Sequence, residues 1–176
     1  MCDIVDVDAA AHYRQLVQLG REEFLASAAP AALVRYRLEK EDPTSSGVHT
    51  LSIDEEIEET LPAGRDSPPL PTDLEVYPLT KKAGASFPDR ITIGRTVNND
   101  IVIADSSVSR LHAYVRRDGK QWVIADAGSK NGSALENKPL EPRKERPLPS
   151  RALLRIGDVD MTFYVAADLF GALGGK

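Results

Sequence analysis

Short polar motifs recur between Gly94 and Asp158, and their residue types are suited to holding an anion. The motifs are Gly94-Arg95, Asn99-Asp100-Ile101, Ser109-Arg110-Leu111-His112, Asp126-Ala127-Gly128-Ser129-Lys130-Asn131-Gly132 and Leu154-Arg155-Ile156-Gly157-Asp158. Each motif lies where a short strand pattern begins or ends, so we expect these side chains on loops. Arginine presents a planar fork of donors that matches phosphate oxygens, and serine and asparagine add neutral donors. The motifs therefore predict an oxyanion-binding surface rather than a centre that breaks bonds.

A catalytic interpretation rests on Ser109 and His112 alone. A serine nucleophile with a histidine base also needs an orienting acid and an oxyanion site. No Gly-x-Ser-x-Gly elbow surrounds Ser109. Residues three apart in a strand point to opposite faces, so a simple strand would direct the two side chains apart. We expect His112 to bond to loop backbone and Ser109 to face solvent, and we predict that the chain is not an enzyme.

The sequence does not support a cofactor, metal or nucleic-acid site. The histidines His12, His49 and His112 are scattered, with no cysteine or carboxylate cluster at ligand spacing. The phosphate-cradling Gly-x-x-x-x-Gly-Lys loop does not occur. Short charge pairs such as Arg116-Arg117 are more typical of a solvated face than of nucleic-acid binding. We expect no cofactor, no metal ion and no nucleic-acid partner.

The composition indicates a soluble protein of a reducing, cytoplasmic compartment. Hydrophobic residues make up 41% and charged residues 28% of the 176 residues. No apolar run approaches the roughly 18 residues of a spanning helix. The acidic start of the chain lacks the basic and apolar regions of a signal peptide. Cys2 is the single cysteine, so it has no intramolecular disulfide partner. We expect no membrane association.

Strand patterns dominate residues 73–168. Turn residues separate short apolar patches, which predicts a sandwich of two antiparallel sheets. The predicted strands are Leu74–Leu79, Arg90–Ile93, Ile101–Ile103, Leu111–Arg116, Gln121–Asp126, Arg151–Ile156 and Met161–Val165. Asp118-Gly119 predicts a hairpin turn in which both residues adopt positive φ.

The remaining residues predict three further segments. Residues 1–40 form a small helical region that packs on the β-domain or on a partner, with 33–38 open as helix or strand. Residues 41–72 form a disordered, proline-containing acidic linker. Residues 41–76 carry one basic and ten acidic side chains, whereas residues 77–176 carry a net charge of +5. Residues 169–176 form a C-terminal tail.

Taken together, the motifs resemble those of the forkhead-associated (FHA) domain. The resemblance covers residues 73–168 and rests on the order Gly-Arg, Asn-Asp-Ile, Ser-x-x-His, Gly-Ser-x-Asn-Gly and Leu-x-x-Gly-Asp. It implies a β-sandwich that binds phosphothreonine peptides through loops at one end. It also implies an adaptor that acts downstream of a Ser/Thr protein kinase, with that kinase or its substrate as the phosphothreonine-bearing partner. A phosphate-independent interaction module of the same fold is the alternative.

The resemblance also implies roles for individual residues. Arg95 and Ser109 occupy phosphate-contacting positions, and Asn131 occupies the position that holds the peptide backbone. Arg110 and Lys130 stand where many members have asparagine and serine or threonine, so this chain departs from the pattern while adding positive charge. The remaining matched positions are scaffold: Gly94, His112, Gly132, Gly157 and Asp158.

The acidic linker raises one further hypothesis. It contains the possible phosphorylation sites Thr44, Thr50 and Thr60, with Thr72 at its end. Thr50-Leu51-Ser52-Ile53 places an apolar residue three positions after threonine, which resembles a preference of some family members. A phosphorylated linker threonine could be captured by the domain of the same chain, which would block outside ligands. The alternative is a linker that is only solvated.

Overall fold

The structure, a computed structural model, describes residues 9–36 and 74–176. The acidic linker over 41–72 and its candidate sites Thr44, Thr50 and Thr60 lie outside the described residues, as do 1–8 and 37–40. In chain order the elements are α1 (Ala9–Leu19), α2 (Arg21–Ser27), β1 (Ala31–Tyr36), β2 (Leu74–Pro78), β3 (Ile91–Gly94), β4 (Ile101–Val102), β5 (Ala113–Asp118), β6 (Gln121–Asp126), β7 (Ser133–Leu135), β8 (Lys138–Pro139), β9 (Arg146–Pro147), β10 (Leu153–Ile156), β11 (Val159–Val165) and α3 (Ala166–Ala172). Within the part of the chain that the structure describes, none of the three helices is long and apolar enough to cross a bilayer.

The described residues contain eleven strands in two facing sheets, which confirms the predicted sandwich. The first sheet has the order β2-β1-β11-β10-β7-β8, and the second has the order β4-β3-β5-β6-β9. Neighbouring strands are antiparallel except β3 and β4, which run parallel. The core between the sheets consists of alternate apolar side chains such as Leu33, Ile93, Ile124 and Phe163, all fully buried. Each such side chain contributes about 1.5–3 kcal/mol by leaving water.

The N-terminal segment is part of the sandwich rather than a separate helical region. Two helices form inside the predicted helical region, but β1 (Ala31–Tyr36) pairs with both β2 and β11 inside the first sheet. Ala31 and Leu33 face the core between the sheets, whereas Ala32 and Val34 face the helices. Both faces of β1 are therefore apolar, and this removes the alternation that normally marks a strand. A boundary at residue 40 would separate β1 from its own sheet.

The helices form a second core on the outer face of the first sheet. Phe24 lies at its centre, with ring centroids 5.9 Å from Tyr13 and 5.3 Å from Phe170. Leu169 and Phe170 of α3 are buried there, so the predicted tail over 169–176 begins inside a helix. Because the short C-terminal segment carries only a few apolar residues, its sequence alone did not reveal this packing.

Some local features differ from the predicted ones. Asp118 pairs with Gln121, so the central residues of the hairpin turn are Gly119 and Lys120. Gly119 has a φ of +61°, as a turn with glycine at its first central position requires. Strands β7, β8 and β9 are two or three residues long and were not predicted, because so short a run shows no periodicity.

Four connecting loops meet at one end of the sandwich. They are β3–β4, β4–β5, β6–β7 and β10–β11. Direct bonds join them: the Arg95 N–H donates to the Ser109 carbonyl at 2.9 Å, and the Lys130 N–H donates to the Ser109 Oγ at 3.0 Å. The Asp158 N–H donates to the Ser107 Oγ at 2.9 Å. Residues distant in sequence therefore share one surface.

Candidate functional site

Three of these loops, β3–β4, β4–β5 and β6–β7, line an open cleft of about 1080 Å³ together with Ser86 and Phe87 of the β2–β3 connection. All five residues predicted to bind a phosphopeptide line it: Arg95, Ser109, Arg110, Lys130 and Asn131. They come from three loops and are separated by up to 36 positions in the chain. The fold thus brings the predicted binding residues together.

The cations of the cleft are not paired with any of the described residues. Within the described ranges 9–36 and 74–176, the side chains of Arg95, Arg110 and Lys130 form neither a hydrogen bond nor an ion pair, and all three residues are exposed. Elsewhere on the domain, by contrast, Arg116 pairs with Glu145 at 2.6 Å, and Lys81 pairs with Asp100 at 2.7 Å. The cleft therefore presents uncompensated positive charge, which favours an anionic ligand.

Hydrogen bonds to both the N–H and the carbonyl of Ser109 hold its backbone in place. Its N–H donates to the Nδ1 of His112 at 3.0 Å, and its carbonyl accepts the N–H of Arg95. Its Oγ accepts the N–H of Lys130, which leaves the hydroxyl hydrogen available to donate. The Ser109 hydroxyl is therefore a positioned hydrogen-bond donor next to the three cations.

His112 is buried beneath the loops, and its ring contacts the backbone of two of them. Its Nδ1 accepts a backbone N–H, so the ring hydrogen is on Nε2, which lies 2.9 Å from the Gly132 carbonyl oxygen. This arrangement matches the expected loop-backbone role. Because the His112 Nδ1 already accepts the Ser109 N–H, it cannot also serve as a base for the Ser109 hydroxyl. The two residues contact each other because the strand begins only at Ala113, so the alternation argument does not apply at Ser109.

Asp126 organises the loop that carries Lys130 and Asn131. Its Oδ1 accepts the N–H groups of Gly128 and Ser129 at 2.8 Å, and its Oδ2 accepts the hydroxyls of Ser129 and Ser133 at 2.6 and 2.7 Å. Burial raises the pKa of this carboxyl, but the four hydrogen bonds outweigh burial and lower the pKa below its ordinary value. A charged Asp126 therefore holds the loop at neutral pH.

Asn131 links its loop to the neighbouring one. Its Nδ2 donates to the Ser107 carbonyl at 2.8 Å. Ser107 in turn donates its hydroxyl to Asp105 at 2.7 Å and accepts the N–H of Asp158. Asn131 therefore has one amide hydrogen and its carbonyl oxygen facing the exposed cleft, which suits contact with a peptide backbone.

The predicted scaffold glycines lie where loops approach closely. A Cβ at Gly94 would clash with the Arg110 carbonyl oxygen, and a Cβ at Gly157 would lie 2.6 Å from the Ser107 carbonyl oxygen. Gly157 also has a φ of +60°. Gly132 accepts the bond from His112, and Asp158 contributes its backbone N–H. All of the predicted scaffold residues thus lie around the cleft.

Two further residues position the site and were not assigned from the sequence. The Nδ2 of Asn99 donates to the Arg110 carbonyl at 2.6 Å and to the Thr96 carbonyl at 2.8 Å. Asp100 accepts from the Thr92 N–H, the Lys82 N–H and the Lys81 ammonium. Burial raises the pKa of Asp100, but these bonds outweigh burial and lower it. The sequence feature that could have identified these two residues is the adjacent pair Asn99-Asp100.

The described residues offer no alternative inorganic site. No group of three or more histidine, cysteine, aspartate or glutamate residues in the described ranges is arranged to hold a metal ion. Every buried side-chain nitrogen or oxygen in these ranges has a hydrogen-bond partner. Among the described residues, the exposed cations of the cleft are therefore the feature that indicates ligand binding.

Comparison with known proteins identifies the family. The FHA domain model matches residues 91–157. The chain is 32% identical over 105 residues to the oxoglutarate dehydrogenase inhibitor of Corynebacterium jeikeium, covering 58% of this chain and 71% of that protein. It is 35% identical over 69 residues to an FHA domain-containing protein of Arabidopsis thaliana, covering 39% of this chain and 18% of that protein. The chain thus spans most of one relative and a small part of the other.

A solved structure of Mycobacterium tuberculosis EmbR in complex with a low affinity phosphopeptide aligns with 53% of this chain and 22% of that chain. The TM-score is 0.45 and the sequence identity 32%. The family match covers β3 to the β10–β11 turn and includes all five residues predicted to bind a phosphopeptide. The chain belongs to the FHA-domain family.

Proposed function

We propose that the cleft binds phosphothreonine-containing peptides and that the chain is an adaptor acting downstream of a Ser/Thr protein kinase. The observation that carries this proposal is a set of three cations, Arg95, Arg110 and Lys130, around the available hydroxyl of Ser109. None of the three is paired with a residue in the described ranges. A phosphothreonine supplies about −1.5 to −2 charge and three acceptor oxygens. Its partner is a phosphorylated protein, either the kinase or a kinase substrate.

Each side chain has a role that its chemistry supports. Arg95 donates two bonds to phosphate oxygens through its guanidinium fork, and Ser109 donates a third. Arg110 and Lys130 add charge close to the phosphate. Asn131 holds the peptide backbone next to the phosphothreonine. Because the loops are already bonded to each other, little entropy is lost when the ligand binds.

The contacts at the site favour a ligand-binding role over a catalytic one. The Ser109–His112 pair lacks a base, because the Nδ1 of His112 is occupied by a backbone N–H. FHA domains are interaction modules. The remaining alternative, phosphate-independent interaction, would give the unpaired cations no role.

A matched peptide library tests the proposal. The protein is incubated with two degenerate peptide sets that differ only in having phosphothreonine or threonine at the fixed position. We expect the phosphorylated set to yield binders, and inorganic phosphate to compete with them. Equal retention of the two sets would favour the phosphate-independent module, and retention of neither would reject the proposal.

We also propose that the acidic linker regulates the cleft when one of its threonines is phosphorylated. Tyr36 pairs with Leu74, and β1 runs antiparallel to β11, which begins just after the Gly157-Asp158 turn. Tyr36 and Leu74, the described residues on either side of the linker, therefore lie at the cleft end of the first sheet. Phosphorylating the full chain is expected to weaken its affinity for an outside phosphopeptide. Unchanged affinity, measured by titration, would reject this regulation.

A further inference from the structure

Part of the cleft wall comes from a segment outside the family match. Ser86 and Phe87 line the cleft and belong to the connection between β2 and β3, whereas the FHA domain model begins at residue 91. The five residues predicted to bind a phosphopeptide come instead from the loops that follow β3, β4 and β6. The β2–β3 connection therefore adds to the cleft something that the matched motifs do not contain.

A single lysine closes this connection on itself, and we call residues 81–90 the Lys81 loop. The Lys81 ammonium donates to the Arg90 carbonyl at 2.7 Å, so the side chain at the start of the loop is bonded to the backbone at its end. The same ammonium donates to the Asp100 carboxylate at 2.7 Å, and the other carboxylate oxygen accepts the Lys82 N–H at 2.8 Å. Because the Asp100 side chain is fully buried and also bonded to β3, these charge-assisted bonds tie the loop to the sheet.

Further contacts hold the part of the Lys81 loop that reaches the cleft. The Arg90 guanidinium lies 5.5 Å from the centre of the Phe87 ring, and two bonds to Asp89 fix the guanidinium in turn. Earlier in the loop, the Ala85 N–H donates to the Lys82 carbonyl at 3.3 Å. Ser86 lies between these contacts and is therefore held in place, so little conformational entropy is lost when a ligand binds to it.

Ser86 presents an available hydroxyl to the cleft. The residue is exposed, and its Oγ has no hydrogen-bond partner among the residues that the structure describes. The hydroxyls of Ser107 and Ser129, by contrast, donate to carboxylates of their own loops. A serine hydroxyl is neutral and can both donate and accept. It therefore suits the main chain of a peptide, whose N–H and carbonyl groups need partners when they leave water.

We propose that Ser86 is a further ligand-binding residue of the cleft, that its hydroxyl hydrogen-bonds to the main chain of the phosphothreonine peptide, and that Lys81 positions it. This inference rests on the proposed function of the cleft. Because main-chain groups are the same in every peptide, the contact adds affinity for any phosphothreonine ligand and does not choose among ligand side chains. Lys81 does not line the cleft and acts only through the loop that it closes.

Titration of the full chain and its variants with one selected phosphothreonine peptide tests the contact. Ser86→Ala is expected to lower affinity about fivefold, the effect of losing one neutral hydrogen bond. Ser27→Ala is the matched control and should bind as wild type does, because Ser27 is exposed at the end of α2 and does not line the cleft. Wild-type affinity in Ser86→Ala would overturn the inference and leave the proposed function standing. Absence of phosphothreonine binding by the wild type would overturn both.

Ester substitution in the ligand identifies the kind of contact. Each peptide of the series has one main-chain amide replaced by an ester, which removes an N–H and weakens a carbonyl acceptor. One such ester should weaken binding to the wild type about fivefold and binding to Ser86→Ala less than twofold, since both changes remove the same bond. A loss in Ser86→Ala that disappears when one ligand side chain is replaced by alanine, with no ester showing this coupling, would overturn the main-chain contact.

The role of Lys81 is tested by Lys81→Met, which removes the ammonium and keeps the aliphatic stem. We expect affinity about threefold weaker than wild type, and adding Ser86→Ala should cost less than a further twofold, because the released loop no longer positions the hydroxyl. Urea unfolding reports whether the variant is folded. Lys81→Gln, which keeps a donor for Asp100, takes its place if it is not, with the same expectation. Fully additive losses would overturn the positioning role of Lys81.

Discussion

Replacing Arg95 by alanine is expected to weaken phosphothreonine-peptide binding about a hundredfold. Two charge-assisted bonds at about 1.5–3 kcal/mol each are lost, and partial compensation by nearby cations leaves a net effect of roughly 2.7 kcal/mol. The Arg95 side chain has no bond within the described ranges, so the folded domain should not need it. Titration calorimetry gives the affinity, and urea unfolding gives the stability.

Arg117→Ala is the matched control for this prediction. Arg117 is an exposed arginine on β5 that does not line the cleft. Removing it makes the same change in net charge, so an effect of general electrostatics would appear in both variants. We expect Arg117→Ala to bind within about twofold of wild type, as is usual for a charge outside the contact surface. Equal weakening by the two substitutions would show that Arg95 does not contact the phosphate.

Replacing Gly94 by alanine is expected to destabilise the domain by about 3 kcal/mol, the sum of steric overlap and lost hydrogen bonding. The added Cβ would overlap the Arg110 carbonyl oxygen and lie 2.7 Å from the Asn99 Nδ2. That carbonyl accepts bonds from both Asn99 and Thr96, so moving it disrupts the β3–β4 loop. The free energy of unfolding, measured in urea, provides the readout.

Gly171→Ala separates this steric effect from the general effect of adding a methyl group. Gly171 lies within α3, and a Cβ there meets nothing within 4 Å. Alanine in a helix is favoured over glycine by roughly 0.5–1 kcal/mol, so this variant should be as stable as wild type or more so. If Gly94→Ala also kept wild-type stability, the close approach of the β3 end to the Arg110 carbonyl would be refuted.

The sandwich was predictable because its strands carry local signals. Short apolar patches such as Gln121–Asp126, bounded by turn residues such as Gly119, mark strands and their ends without reference to the rest of the chain. β1 gave no such signal, since its two faces are both covered and its partners β2 and β11 lie far along the sequence. Burial on both faces is a property of the assembled molecule and not of six residues.

The residues of the cleft were predictable, but most of their contacts were not. Arg95, Ser109 and Asn131 stand in recognisable loop motifs, and the fold brings them to one surface. The bond between Asp158 and Ser107 spans 51 positions, and no local pattern reports it. The Ser109–His112 contact also depends on where β5 begins. Such contacts follow from loop geometry, which the sequence specifies only through the whole fold.

The outer faces of the two sheets differ in a way that bears on recognition. Three helices cover the first sheet and bury Phe24 and Phe170. The second sheet keeps Phe87 and Leu111 exposed beside the cleft. Among the described residues, the helices therefore cover the outer face of the first sheet, whereas the outer face of the second sheet leaves apolar side chains exposed next to the cleft.

The central claim is that the cleft recognises a phosphate group. The most direct measurement is a calorimetric titration of the wild-type protein with one library-selected peptide in two forms, with phosphothreonine or threonine at the fixed position. Loss of the phosphate removes at least three charge-assisted bonds, so we expect the threonine form to bind at least roughly a hundredfold more weakly. Equal affinity for the two forms would contradict the claim.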